Sequence, residues 1–152
     1  MNYEHFVNEP LGVVVVKMDK DSFAREVYNV SVAKLVRKYN NSKISTSDKS
    51  WGDDLENYVW GIYRNWTKKN ITEKSYTTRA KCNYEDGDVF DPQIGYYIAA
   101  DRMDMKITQY AYRFLVEFTD VWSDFCMDLF YHGKELLDYY DTTEANIMSL
   151  VD

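Results

Sequence analysis

Residues 79–102 read RAKCNYEDGDVFDPQIGYYIAADR, and this stretch decides how the chain folds. It begins as the end of a strand, passes through the acidic turn Asp86-Gly87-Asp88 and enters a helix at Pro92. Asp91 precedes that proline, and aspartate is a good helix cap while proline is favoured at the first helical position. The sequence therefore predicts a strand-to-helix corner, with short mixed elements before it and helices after it.

Two strands are predicted before and within the corner. Residues 11–18 contain four consecutive valines, and β-branched residues pack well on a pleated surface. The unbroken apolar run predicts a strand buried on both faces, in the centre of a small sheet. Residues 72–84 alternate loosely between apolar and polar types and predict a second strand. Residues 1–10 are polar and predict an arm or an edge.

Two helices are predicted between these strands. Residues 22–39 have helical apolar spacing with Asp21 or Ser22 as the cap, although the β-branched residues at 27–32 leave a strand there as an alternative. Residues 40–50 are mostly polar and predict a loop. Residues 51–69 carry apolar side chains at spacings of three and four, with acids near the start and lysines at the end, which predicts an amphipathic helix.

Beyond the corner the chain is predicted to be helical throughout. Gly95 and Ala99 form a narrow face that permits close approach of a neighbouring element. The longest periodic pattern covers residues 106–131, with Gly133 as a candidate stop. Residues 134–140 either continue that helix or form a short one, and Asp141 is the predicted cap of a last helix. The predicted fold class is α+β in a single domain, with a mixed part at 1–105 and a helical, acidic part at 106–152.

Length and composition describe a globular chain. A chain of 152 residues can bury a core as one domain, and 45% apolar residues exclude disorder as the main state. The 14 tyrosines and four tryptophans fit either an aromatic core or a tyrosine-lined contact face. No apolar run reaches membrane-spanning length and no leader pattern opens the sequence. Cys82 and Cys126 lack metal spacing, so we expect a reduced, cytoplasmic protein.

The net charge of −7 is placed unevenly. Residues 1–100 hold 14 acidic and 14 basic side chains, whereas residues 101–152 hold 11 acidic and four basic ones. Phosphates would meet carboxylates in that last third, which disfavours direct nucleic-acid binding there and favours a basic partner. We expect no direct nucleic-acid contact and no membrane contact.

Four acids recur on one face of the long predicted helix, and we call them the acidic stripe: Glu117, Asp120, Asp124 and Asp128. Successive members lie about 5–6 Å apart, which resembles the spacing of phosphates along a nucleic-acid strand. Residues 114–133 contain no lysine or arginine. The stripe is read either as an ordinary solvated helix face or as a phosphate-mimicking surface for a basic groove. Partner contact is predicted at the stripe together with Tyr131, Glu135, Asp138, Tyr139 and Tyr140.

Catalytic and metal-binding signatures are weak. Only His5 and His132 could act as a histidine base, and neither lies in a recognisable motif, so pairing of Cys82 with His132 is disfavoured. The loop at residues 86–91 resembles a calcium loop superficially, but it lacks the later glutamate and its glycine is misplaced. We predict no enzyme, no cofactor and no metal site; a hydrolase or transferase with an unrecognised site stays a minor alternative.

The corner resembles a short pattern in small, uncharacterised proteins of phages and mobile elements of Gram-positive bacteria. The residues that carry the resemblance are Lys81, Cys82, the turn at 86–88, Phe90, Asp91, Gly95, Ile98, Ala99 and Arg102. The resemblance covers about 24 of the 152 residues. It implies a compact α+β unit of phage origin and supplies no catalytic residues. Acidic, single-domain phage proteins of this size resemble anti-CRISPR and antirestriction inhibitors as a class.

The class resemblance and the acidic stripe together predict a non-enzymatic, anti-CRISPR-like inhibitor that occupies the basic groove of a host nuclease or CRISPR effector. The alternative is a small nucleic-acid-handling domain. It would bind through the basic and aromatic surface near residues 64–81, where bases would stack on Trp66 and Tyr76.

Overall fold

The computed structural model describes residues 3–41 and 50–151. Its strands are β1 (Glu4–Asn8), β2 (Val13–Asp19) and β3 (Ser75–Lys81). Its α-helices are α1 (Lys20–Tyr28), α2 (Lys34–Asn41), α3 (Ser50–Asn70) and α4 (Pro92–Val151). A π-helical turn at Asn29–Ala33 joins α1 to α2, and short 3-10 turns lie at Glu9–Leu11 and Tyr84–Asp86. The α+β class predicted from the sequence is confirmed.

The sheet is antiparallel, in the order β1-β2-β3. Val14, Val16 and Met18 of the central strand are buried, whereas Val13 and Val15 are only half-buried. The prediction of a central strand is therefore confirmed, but the prediction that both of its faces are buried is wrong. Because side chains alternate across a strand, one face of this sheet packs against helices and the other stays open.

Helical structure extends through residues 20–41, so the strand alternative at 27–32 is wrong. The cap of α1 also differs from the prediction. The Asp19 carboxylate accepts hydrogen bonds from the Ser22 backbone N–H at 2.9 Å and from its hydroxyl at 2.6 Å. Asp19 ends β2, so one residue closes the strand and opens the helix. Most of the loop predicted at 40–50 lies outside the described residues.

The strand-to-helix corner forms as predicted. Asp91 Oδ1 accepts hydrogen bonds from the backbone N–H groups of Gln93 (2.8 Å) and Ile94 (3.2 Å), and Pro92 begins α4. Gly95 makes the close approach, since a Cβ placed on it would lie 2.7 Å from Val14 Cγ2. The candidate stop at Gly133 and the separate last helix are wrong, and the alternative that residues 134–140 continue the long helix is confirmed, because α4 is continuous to Val151. Glycine weakens a helix but does not end one that the residues on either side support.

The chain divides into two compact units, residues 1–115 and 116–152. The core of the first unit joins the inner sheet face, α1, α3 and the first part of α4. It is rich in aromatic rings: Phe23 stacks on Tyr76 at 3.8 Å between centroids, and Tyr63 meets Phe114 edge-on at 5.0 Å. The second unit consists of the remainder of α4. The prediction of a single domain stays a prediction.

Among the helices in the described residues, none combines the length and the apolar character that crossing a membrane requires.

Candidate binding surfaces

The second unit carries the predicted contact residues on one helix. All nine predicted side chains are exposed; Tyr139, with 73% of its surface accessible, is the most open of the three tyrosines. Residues 116–152 contain nine acidic side chains and a single basic one, Lys134. Residues 1–115 contain 16 acidic and 17 basic side chains. The negative charge is therefore concentrated in the second unit.

Helix geometry decides which of these residues share a face. Each residue turns the helix by about 100°, so the stripe, Glu135, Asp138, Tyr131 and Tyr139 all project within an arc of about 100°. Tyr140 projects about 140° from Glu117 on the same scale. The continuous α4 therefore brings eight of the nine predicted residues together and directs Tyr140 elsewhere.

Positive side chains do not neutralise the stripe within the described part of α4. Lys134 lies outside the acidic arc, and its ammonium is 5.7 Å from the centroid of the Phe130 ring. His132 Nδ1 lies 3.6 Å from Glu135 Oε2, an ion pair only when the imidazole is protonated. Among the described side chains, no lysine or arginine forms an ion pair with a stripe carboxylate. The negative charge of the stripe is therefore exposed to solvent.

The corner contains a cavity of about 230 Å³ whose lining includes Cys82, Asp88 and Asp91. Its polar groups are engaged locally: Asp91 caps α4, and the Cys82 thiol contacts the Asp88 carbonyl oxygen at 3.6 Å. Loss of solvation and the nearby Asp88 carboxylate raise the pKa of the Cys82 thiol. A raised pKa reduces the thiolate population at neutral pH, which disfavours Cys82 as a nucleophile. In the described residues, no group of three His, Cys, Asp or Glu side chains is arranged for a metal ion.

The basic and aromatic surface predicted near residues 64–81 is not assembled as expected. Trp66 and Tyr76 are buried in the core, with 6% and 2% of their surfaces accessible. Their rings contact Phe114 and Phe23, respectively, so neither offers a face to a nucleic-acid base. The prediction that bases stack on these two rings is wrong. Helical periodicity placed Trp66 correctly on the apolar face of α3, and that face is the core.

An exposed aromatic residue instead lies on β1, within the segment predicted from the sequence only as an arm or edge. Phe6 has 53% of its surface accessible and pairs with Val15, which in turn pairs with Arg79. Lys81 follows on the same face of β3, opposite Val13. The only sequence signal for this site was the apolar pair Phe6-Val7 in a polar segment, which is too short to define a strand.

Comparisons with known proteins give no relative: no family, no curated protein and no solved structure matches the chain.

Proposed function

We propose that the protein is a non-enzymatic, anti-CRISPR-like inhibitor of phage type. It binds the basic groove of a host nuclease or CRISPR effector through the acidic stripe of α4. The observation that carries the proposal is the exposure of Glu117, Asp120, Asp124 and Asp128 on one face of a continuous helix, without basic neighbours in ion-pair contact among the described residues.

The energetics favour a role for this arrangement beyond solubility. Like charges one helical turn apart destabilise a helix by about 0.2–0.5 kcal/mol per pair. A surface that serves only solubility commonly mixes both signs of charge. Lysine and arginine side chains of a nucleic-acid groove would relieve this repulsion and gain charge-assisted hydrogen bonds. Tyr131 and Tyr139, on the same arc, would add contact area with little loss of side-chain freedom.

The test is interference in living cells followed by direct binding. A bacterial strain with an active CRISPR nuclease is challenged with a targeted plasmid, with and without expression of this protein. Expression should raise the number of transformants, and the double charge reversal Glu117→Lys/Asp124→Lys should abolish the effect. The matched control is Asp141→Lys/Glu144→Lys, which changes the charge equally on the same helix but outside the acidic arc.

The binding step is measured with the purified nuclease–guide complex. Affinity should fall steeply as salt rises, because exposed charge pairs are screened over about 10 Å at 0.1 M salt. Full inhibition by the Glu117→Lys/Asp124→Lys protein would exclude the stripe as the surface that binds the nuclease. The same conclusion would follow if the Asp141→Lys/Glu144→Lys control lost inhibition to the same extent. A circular dichroism spectrum of each variant reports whether α4 is still helical.

A further inference from the structure

The open face of the sheet is a second surface with a defined chemistry, and we call it the outer face. Its side chains are Glu4, Phe6 and Asn8 of β1, Val13, Val15, Lys17 and Asp19 of β2, and Ser75, Thr77, Arg79 and Lys81 of β3. The register places Phe6, Val15 and Arg79 in one row across the three strands, and Asn8, Val13 and Lys81 in the next row.

Charge divides this face into two halves. Arg79 and Lys81 lie in the two rows around Phe6, and no acid of the three strands lies in those rows. Arg102 belongs to α4, which packs on the inner face, and its guanidinium donates a hydrogen bond to the Arg79 carbonyl oxygen at the edge of β3. The acids Glu4 and Asp19 lie at the other end of the sheet, where Glu4 pairs with Lys17 and Asp19 is engaged in capping α1.

We propose that the outer face binds single-stranded nucleic acid, with a base stacked on Phe6 and neighbouring phosphates held by Arg79 and Lys81. Strands lie about 4.8 Å apart, so Phe6 is about 10 Å from the β3 backbone, with only the half-buried Val15 between them. Arg79 and Lys81 are two residues apart on one strand, about 7 Å. A sheet face with an exposed ring beside cations is how stacking platforms bind unpaired bases.

The apolar part of the face supports this partner over a protein. It consists of Phe6, Val13 and Val15, of which only Phe6 is widely exposed. A stable protein interface needs a larger apolar centre, whereas one ring and two cations suffice to hold a nucleotide strand weakly. The inference departs from the sequence-based expectation of no direct nucleic-acid contact. It is independent of the acidic stripe, which belongs to the other unit.

The test is fluorescence anisotropy with labelled oligothymidine and oligouridine of about 12 nucleotides, and with a duplex of the same length. Binding of both single strands is expected at low salt, with weaker binding of the duplex, whose bases are already stacked. Phe6→Ala should weaken binding about tenfold and leave its salt dependence unchanged. Arg79→Gln and Lys81→Gln should each reduce the slope of log affinity against log salt by about 0.7.

Matched controls separate this site from general effects. Phe130→Ala removes an exposed ring from α4, and Arg64→Gln removes an exposed arginine from α3; both should bind as the unmodified protein does. Phe6→Leu keeps an apolar side chain on β1 but cannot stack, so it should behave like Phe6→Ala, while Phe6→Trp should retain binding. The absence of binding at low salt would overturn the proposal. Binding by the Phe6→Leu and Arg79→Gln proteins that equals binding by the unmodified protein would also overturn it. So would a preference for the duplex over the single strands.

Discussion

Replacing Gly95 by alanine tests how closely α4 approaches the sheet. A Cβ at residue 95 would lie 2.7 Å from Val14 Cγ2 and 3.4 Å from Val14 Cβ. Carbon atoms pack best at about 3.5–4.0 Å, so the nearer contact is too short by about 1 Å. Val14 is fully buried and β-branched, so its side chain has little freedom to move aside.

The magnitude follows from two opposed effects. Overpacking a well-packed core costs about 1–3 kcal/mol, while alanine stabilises a helix by about 1 kcal/mol relative to glycine. We therefore expect Gly95→Ala to lower the free energy of unfolding by about 1 kcal/mol. The control is Gly61→Ala in α3, where a Cβ would meet nothing within 4 Å. That variant should gain up to about 1 kcal/mol.

Urea denaturation followed by circular dichroism measures both variants against the unmodified protein. Val14→Ala should remove the clash, so Gly95→Ala made in that background should be neutral or stabilising. The coupling energy of this double-mutant cycle should reach at least about 1 kcal/mol. Equal stabilisation by Gly95→Ala and Gly61→Ala would show that α4 does not contact β2 at this point.

Two further outcomes concern the core and the cap. Phe114→Ala should lower the free energy of unfolding by about 3–5 kcal/mol, because the ring is fully buried against Tyr63 and Trp66; an effect no larger than that of Phe130→Ala, at an exposed position, would contradict this packing. Asp19→Ala should lower the urea midpoint at neutral pH, since hydrogen bonds from Ser22 hold the pKa of the Asp19 carboxyl below its usual range. A lowered folded-state pKa gives stability that is present above the unfolded value and lost as pH falls through the folded value. The difference in urea midpoint between the unmodified and the Asp19→Ala proteins should therefore become smaller below about pH 4. A difference that does not change with pH would contradict the role of Asp19 as the cap.

Local chemistry made much of the fold predictable. The Asp91-Pro92 pair begins α4 whatever surrounds it, because the carboxylate satisfies free backbone N–H groups and proline has none to satisfy. The valine run became the central strand, and the amphipathic pattern of residues 51–69 became α3. The acidic face of α4 was equally visible, since helical spacing alone places Glu117, Asp124 and Glu135 on one side.

Tertiary structure decided which surfaces are open. The sequence indicates that Trp66 and Tyr76 are aromatic and near lysines, but only packing against Phe114 and Phe23 removes them from solvent. Phe6 shows the opposite outcome, since its ring stays exposed. The segment around it has no clear strand pattern of its own and becomes a strand because it pairs with β2. Gly133 is a third example, because the low helix propensity of glycine makes it a candidate stop, yet α4 continues through it. Caps and periodicity act over a few neighbouring residues and can be read from the sequence, whereas strand register and burial depend on residues far apart in the chain.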